Sequence, residues 1–131
     1  MPQQKSIVIV DDEIETVELF SEMMRLTGYQ VYKAYGGSKA IEIISETRPS
    51  IVLLDLMMAD VSGLELLKWI RNDPVLEKTP VIVVSALSFP EDIQRCMQLG
   101  ASYYLEKPIA FKDLRKAVEQ VSNDQSKGRS E

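Results

Sequence analysis

Residues 50–63 read SIVLLDLMMADVSG, and in them four consecutive apolar side chains, Ile51 to Leu54, run straight into a carboxylate, Asp55. An apolar run that short and unbroken fits a strand covered on both faces, as in the interior of a parallel sheet. Open parallel sheets build their sites at the carboxyl ends of strands, where loops vary above a fixed base. Asp55 falls at such an end. A charged group beside four buried ones needs water, a cation or a partner to offset its desolvation, and the rest of the chain has to supply them.

Outward from this segment the pattern repeats. Ser6 to Val10 carries the run IVIV and ends in Asp11 and Asp12. From Glu13, Val17, Phe20, Met24 and Leu26 recur at roughly helical spacing, with Gly28 as the stop. Tyr29 to Tyr35 reads as a second strand that exits through Gly36 and Gly37, and Ala40, Ile41 and Ile44 mark a helix closed by Arg48 and Pro49. Beyond Asp55, Val61, Ser62 and Gly63 turn the chain into a helix carrying Leu64, Leu67 and Ile70. Pro80 introduces VIVV, which ends at Ser85, and Ser88, Phe89 and Pro90 start a helix whose Ile93, Met97 and Leu99 are expected to face inward. Ser102 to Leu105 gives a short fifth strand. Phe111, Leu114, Val118 and Val121 form the last helical stripe, so residues 1–122 make one domain and 123–131 a flexible polar tail. Strands alternating with helices imply an α/β fold, a doubly wound parallel sheet with helices on both faces.

Composition narrows the function. The 131 residues are 45% hydrophobic and 27% charged, ordinary for a globular domain, and the net charge of −5 disfavours nonspecific binding to nucleic acid or anionic lipid. No apolar run reaches the length of a membrane span and MPQQKS lacks a signal-peptide pattern, so the expected location is cytoplasmic. With no histidine and Cys96 as the single cysteine, assigned to the core, histidine-based catalysis and a cysteine-rich zinc site are excluded within one chain. Carboxylates, hydroxyls and lysine are left.

These fall in a pattern. Asp11 and Asp12 follow the first apolar run, Asp55 the third, Ser85 the fourth and Lys107 the fifth, so a parallel sheet brings all of them to one edge. Singly, each has a plain structural explanation: aspartates cap helices, and a lysine before proline is a solvated loop residue. Together they are specific. Three clustered carboxylates repel one another unless a lysine or a divalent cation offsets them, and oxygen ligands favour Mg2+ or Mn2+ over zinc.

The stretches IVIVDDE (7–13), VLLDLMMADVSG (52–63), VIVVSA (81–86) and GASYYLEKP (100–108) together resemble the receiver domain of bacterial two-component response regulators, across essentially the whole chain. The resemblance implies a flavodoxin-like (βα)5 fold with strand order 2-1-3-4-5. It implies that Asp55 accepts a phosphoryl group from a sensor histidine kinase or a phosphotransfer protein. Asp11, Asp12, Asp55 and the Met57 backbone carbonyl would hold Mg2+, Lys107 and Ser85 would contact the phosphoryl oxygens, and the Lys107-Pro108 peptide would be cis. Ser85 and Tyr104 would be the switch pair, Tyr104 moving from exposed to buried while Tyr103 points to the other face as core. The output surface would run from Glu91 to Val121, with a downstream protein or output domain as partner and a possible homodimer on phosphorylation. Such a chain is a signalling module, catalysing only its own phosphorylation and dephosphorylation.

Two departures from the family pattern carry expectations. Ala59 stands where proline is usual, which frees a φ angle and predicts a more mobile loop. Met57 and Leu87 are apolar where many relatives carry groups that orient a hydrolytic water, which predicts slow self-dephosphorylation. Other readings are a Mg2+-dependent aspartyl-phosphate phosphatase, which would need an acid at Met57, and an interaction module of the same fold that works without phosphorylation. A flavodoxin-like cofactor binder lacks its phosphate loop, since Asp11 and Asp12 stand there. A stand-alone receiver and one excised from a larger regulator read alike.

Overall fold

Strands and helices alternate along the chain: β1 (Ser6–Val10), α1 (Ile14–Leu26), β2 (Gln30–Ala34), α2 (Gly37–Thr47), β3 (Ile51–Asp55), α3 (Gly63–Asn72), β4 (Val81–Ser85), α4 (Pro90–Gln98), β5 (Tyr103–Glu106) and α5 (Phe111–Ser130). The computed structural model describes residues 5–86 and 89–130, with side chains up to Asn123. All four strand pairings are parallel and the order is β2-β1-β3-β4-β5. That is the doubly wound (βα)5 arrangement. β3 lies in the middle, with Leu54 opposite Val10 and Asp55 opposite Val84.

The unbroken apolar runs follow from covering both faces. Successive strand side chains point to opposite sides, so Val8, Val10, Val52, Leu54, Val81 and Val83 face α2, α3 and α4, where Ala40, Ile44, Leu66, Leu67, Ile70 and Cys96 meet them. Ile7, Ile9, Ile51, Leu53, Ile82 and Val84 face α1 and α5, against Val17, Phe20, Met24, Leu114, Ala117, Val118 and Val121. Two helices cover one face and three the other. Tyr104 packs partly into the first core and Tyr103 into the second, as alternation requires.

Several local expectations are corrected. On α4 the buried side chain is Cys96, while Met97 is 45% exposed. Counting three residues from the half-buried Ile93 reaches Cys96 and four reaches Met97, and on this helix the tighter step faces the sheet. Leu26 ends α1 at 76% exposure, beyond the edge of the core. The backbone of α5 runs as helix to Ser130. Asp55 and Ser85 are themselves the last residues of β3 and β4. Ser88, at the expected start of α4, lies outside the described residues.

Candidate functional site

The register sets Asp55 at the end of β3 and Ser85 at the end of β4, while β1 ends directly before Asp11. The Lys107 amide donates to the Ser85 carbonyl at 2.8 Å, which ties the segment after β5 to the same rim. The Lys107-Pro108 peptide is cis.

Asp11, Asp12 and Asp55 each bring a carboxylate oxygen to a point where all three lie within 4.8 Å of one another. Asp11 is buried and doubly engaged: its Oδ1 accepts the Glu13 amide at 3.0 Å and its Oδ2 the Lys107 ammonium at 2.9 Å. It thus holds both the turn that leads into α1 and the Lys107 ammonium. Asp55, also buried, takes the Met57 amide on Oδ1 at 3.2 Å and has Lys107 Nζ 3.6 Å from Oδ2. Asp12 is exposed, and its Oδ2 accepts the Ala59 amide at 3.2 Å. Glu13 adds a further acid, 3.7 Å from Lys107.

Burial, then the neighbouring charge of Asp11, pushes the Asp55 pKa up to about 6, despite the opposing pull of Lys107 and the Met57 amide. At Lys107 burial acts downward, but the hydrogen bond to Asp11 and the charges of Asp55, Asp11 and Glu13 outweigh it and hold the ammonium above the usual lysine range. One ammonium therefore serves three carboxylates, those of Asp11, Asp55 and Glu13, and Asp12 adds a fourth acid to the rim. The excess of negative charge and the purely oxygen donor set fit a small hard divalent cation of the Mg2+ kind. Ser85 is fully buried, and its hydroxyl shares a hydrogen bond with that of Tyr104. Tyr104 is accordingly half-buried in this structure, against the expected exposed starting position. Burial raises its pKa more than the bond with Ser85 lowers it. Met57 is 56% exposed, and Leu87 lies outside the described residues.

All the rim residues singled out in the sequence are thus neighbours, Tyr104 joining through Ser85. Two contributors were missed, the Ala59 amide and Asp60. Asp60 accepts the Gly37 and Ser38 amides at 3.0 and 2.9 Å, fastening the β3–α3 loop to α2. The available signal was indirect: α2 starts at Gly36-Gly37 with no capping side chain of its own.

With fold and rim established, similarity to known proteins becomes specific. The family described as "Response regulator receiver domain" matches residues 7–119. The chain belongs to this family. It is 36% identical over 106 residues to the polar-differentiation response regulator DivK of Brucella anthropi, covering 81% of this chain and 86% of that one. The solved receiver domain of a signal transduction histidine kinase from Syntrophus aciditrophicus superposes with a TM-score of 0.82 at 31% identity, covering 89% of each chain. The chemotaxis protein CheY4 of Vibrio cholerae gives a TM-score of 0.86 at 26% identity, covering 91% of this chain and 99% of that one. The protein is therefore a receiver domain of the two-component type, a signalling module whose acidic pocket fits a phosphoacceptor site. Among the described residues no helix is long and apolar enough to cross a membrane.

Proposed function

We propose that Asp55 accepts a phosphoryl group from a sensor histidine kinase or a phosphotransfer protein, and that the resulting charge repacks the surface from Glu91 to Val121 for a downstream protein. The observation that carries this reading is the meeting of three aspartate oxygens within 4.8 Å beside the single ammonium of Lys107. A carboxylate oxygen of Asp55 attacks phosphorus, a new O–P bond forms, and the bond from phosphorus to the donor's imidazole nitrogen breaks. Asp11, Asp12, Asp55 and the Met57 carbonyl would hold Mg2+, which when bound neutralises charge between the attacking carboxylate and the phosphoryl oxygens.

The chain's own groups do the rest. Lys107, already shared between Asp11 and Asp55, pairs with a phosphoryl oxygen, and the Met57 amide stays aimed at the acceptor side chain. The Ser85 hydroxyl gains a strong anionic acceptor and leaves its bond with Tyr104 for it. Tyr104 then repacks, and the change reaches α4 and α5 as a shift between two packings. Apart from its own phosphorylation and dephosphorylation the domain turns nothing over. It works in the cytoplasm, contacts neither nucleic acid nor membrane directly, and pairs into a homodimer through the face around Tyr104 once phosphorylated.

The test is incubation with Mg2+ and acetyl phosphate, followed by intact-mass spectrometry. A single phosphoryl adduct is expected, absent in Asp55→Asn and suppressed by EDTA. An adduct that survives Asp55→Asn would overturn the assignment.

A further inference from the structure

The loop between β3 and α3 is fixed at three places. At its base the Gly63 amide donates to the Leu56 carbonyl at 3.0 Å, in a turn so close that a Cβ on Gly63 would stand 2.5 Å from the Asp55 carbonyl oxygen. Along its inner side the Met57 and Ala59 amides meet Asp55 and Asp12, both at 3.2 Å. At its outer end Asp60 accepts the Gly37 and Ser38 amides.

That outer attachment is built on both sides. α2 has no acidic residue in its first turn and no side-chain cap, so its leading amides depend on a carboxylate 23 residues downstream. Gly36, at φ +119°, lies against the Asp60 carboxylate, and Gly37 leaves room for the next residue of the loop: a Cβ on Gly37 would stand 2.5 Å from that of Val61. Amides of Ser38, Gly37 and Val61, with the Ser38 hydroxyl, hold the Asp60 carboxyl well below the usual carboxylate range.

We propose that Asp60 is a positioning residue for the acidic rim: by clasping the amino end of α2 it holds the loop where the Met57 and Ala59 amides meet Asp55 and Asp12. The consequence for metal affinity rests on the reading above, that these aspartates take Mg2+. The consequence for the loop does not. Asp60 touches none of the reacting groups. It acts through the backbone between residues 57 and 60, the same stretch that carries the Met57 carbonyl.

The test compares wild type with Asp60→Ala and Asp60→Asn. In metal-free buffer, NMR exchange of the Met57 and Ala59 amides should speed up by about tenfold or more in Asp60→Ala, while Leu66 in α3 stays protected. Unchanged exchange at both amides overturns the proposal. Asp60→Asn keeps the volume and one acceptor oxygen, so an intermediate effect is expected, and it decides the matter if Asp60→Ala does not fold. In calorimetric titration with MgCl2, affinity should fall by about tenfold in Asp60→Ala, the scale seen when a partner that orients a metal ligand is lost. Arg71→Ala, which loosens the opposite rim, is the control for general destabilisation and should keep wild-type affinity. Equal affinity in wild type and Asp60→Ala overturns the proposal. If wild type takes up no Mg2+, the metal reading fails and amide exchange alone decides for or against the clasp.

Discussion

The ammonium of Lys107 lies 2.9 Å from the carboxylate of Asp11, although 96 residues separate the two in sequence. Each follows a strand of the same parallel sheet, so the contact closes the rim from β1 across to the edge strand β5. Replacing Lys107 by methionine would leave the buried Asp11 oxygen without its cationic donor, at a cost of about 1–3 kcal/mol in metal-free buffer. Denaturant unfolding reads that loss. Phosphorylation by acetyl phosphate should slow by about 100-fold, as when one preorganised donor is removed from a charged transition state.

Asp55 carries a pH signature. Its pKa in the folded chain is about 6, raised by burial and by Asp11, against about 4 in an unfolded chain. The folded state therefore binds this proton more tightly than the unfolded one, and stability falls as pH rises from about 4 to about 6. Above that window the loss is complete. In EDTA, Asp55→Asn should be more stable than wild type at pH 7.5 by on the order of 2–3 kcal/mol, with the gap closing near pH 4. Urea unfolding at the two pH values checks it, and equal stabilities at pH 7.5 would count against the raised pKa.

Arg71 binds the opposite rim. Its guanidinium donates to the carbonyls of Gly100, Glu77 and Thr79 at 2.9, 3.1 and 2.7 Å, joining the end of α3 to the segments leading into β4 and β5. Arg71→Ala should lower stability by about 1–3 kcal/mol, and Arg71→Lys should recover little, because an ammonium lacks the planar fork that reaches all three. Thermal unfolding of both variants measures this.

The phosphorylated domain should lose its phosphoryl group slowly. Met57, half exposed beside Asp55, offers no hydrogen bond to a hydrolytic water. Following the adduct by mass after removal of acetyl phosphate tests this. A lifetime of seconds would contradict it, and Met57→Asn should shorten whatever lifetime is found.

Phosphorylation should also drive self-association through the face around Tyr104. Sedimentation velocity with and without acetyl phosphate reports it directly. A monomer under both conditions would remove the homodimer from the proposal.

The strands were legible because burial on both faces leaves uninterrupted apolar runs, and the rim was legible because three of those runs lead directly into a residue that matters. Asp11, Asp55 and Ser85 could be placed from that alone, whereas the strand order came with the family resemblance. What escaped depended on backbone partners or narrow choices of phase. Asp60 binds amides of α2, and an amide leaves no mark in a sequence. Cys96 and Met97 are adjacent on a helix of nine residues, too short and too sparsely apolar for its stripe to decide between them.

β3 runs between β1 and β4, paired along both sides, and Asp55 is its last residue. An added charge at that point is anchored in the least yielding part of the molecule. The strain it brings has no outlet through the sheet and must be discharged into the loops that overhang it. A rigid root beneath pliable surroundings makes the signal directional, since the chemistry stays fixed while only the neighbouring surface changes shape.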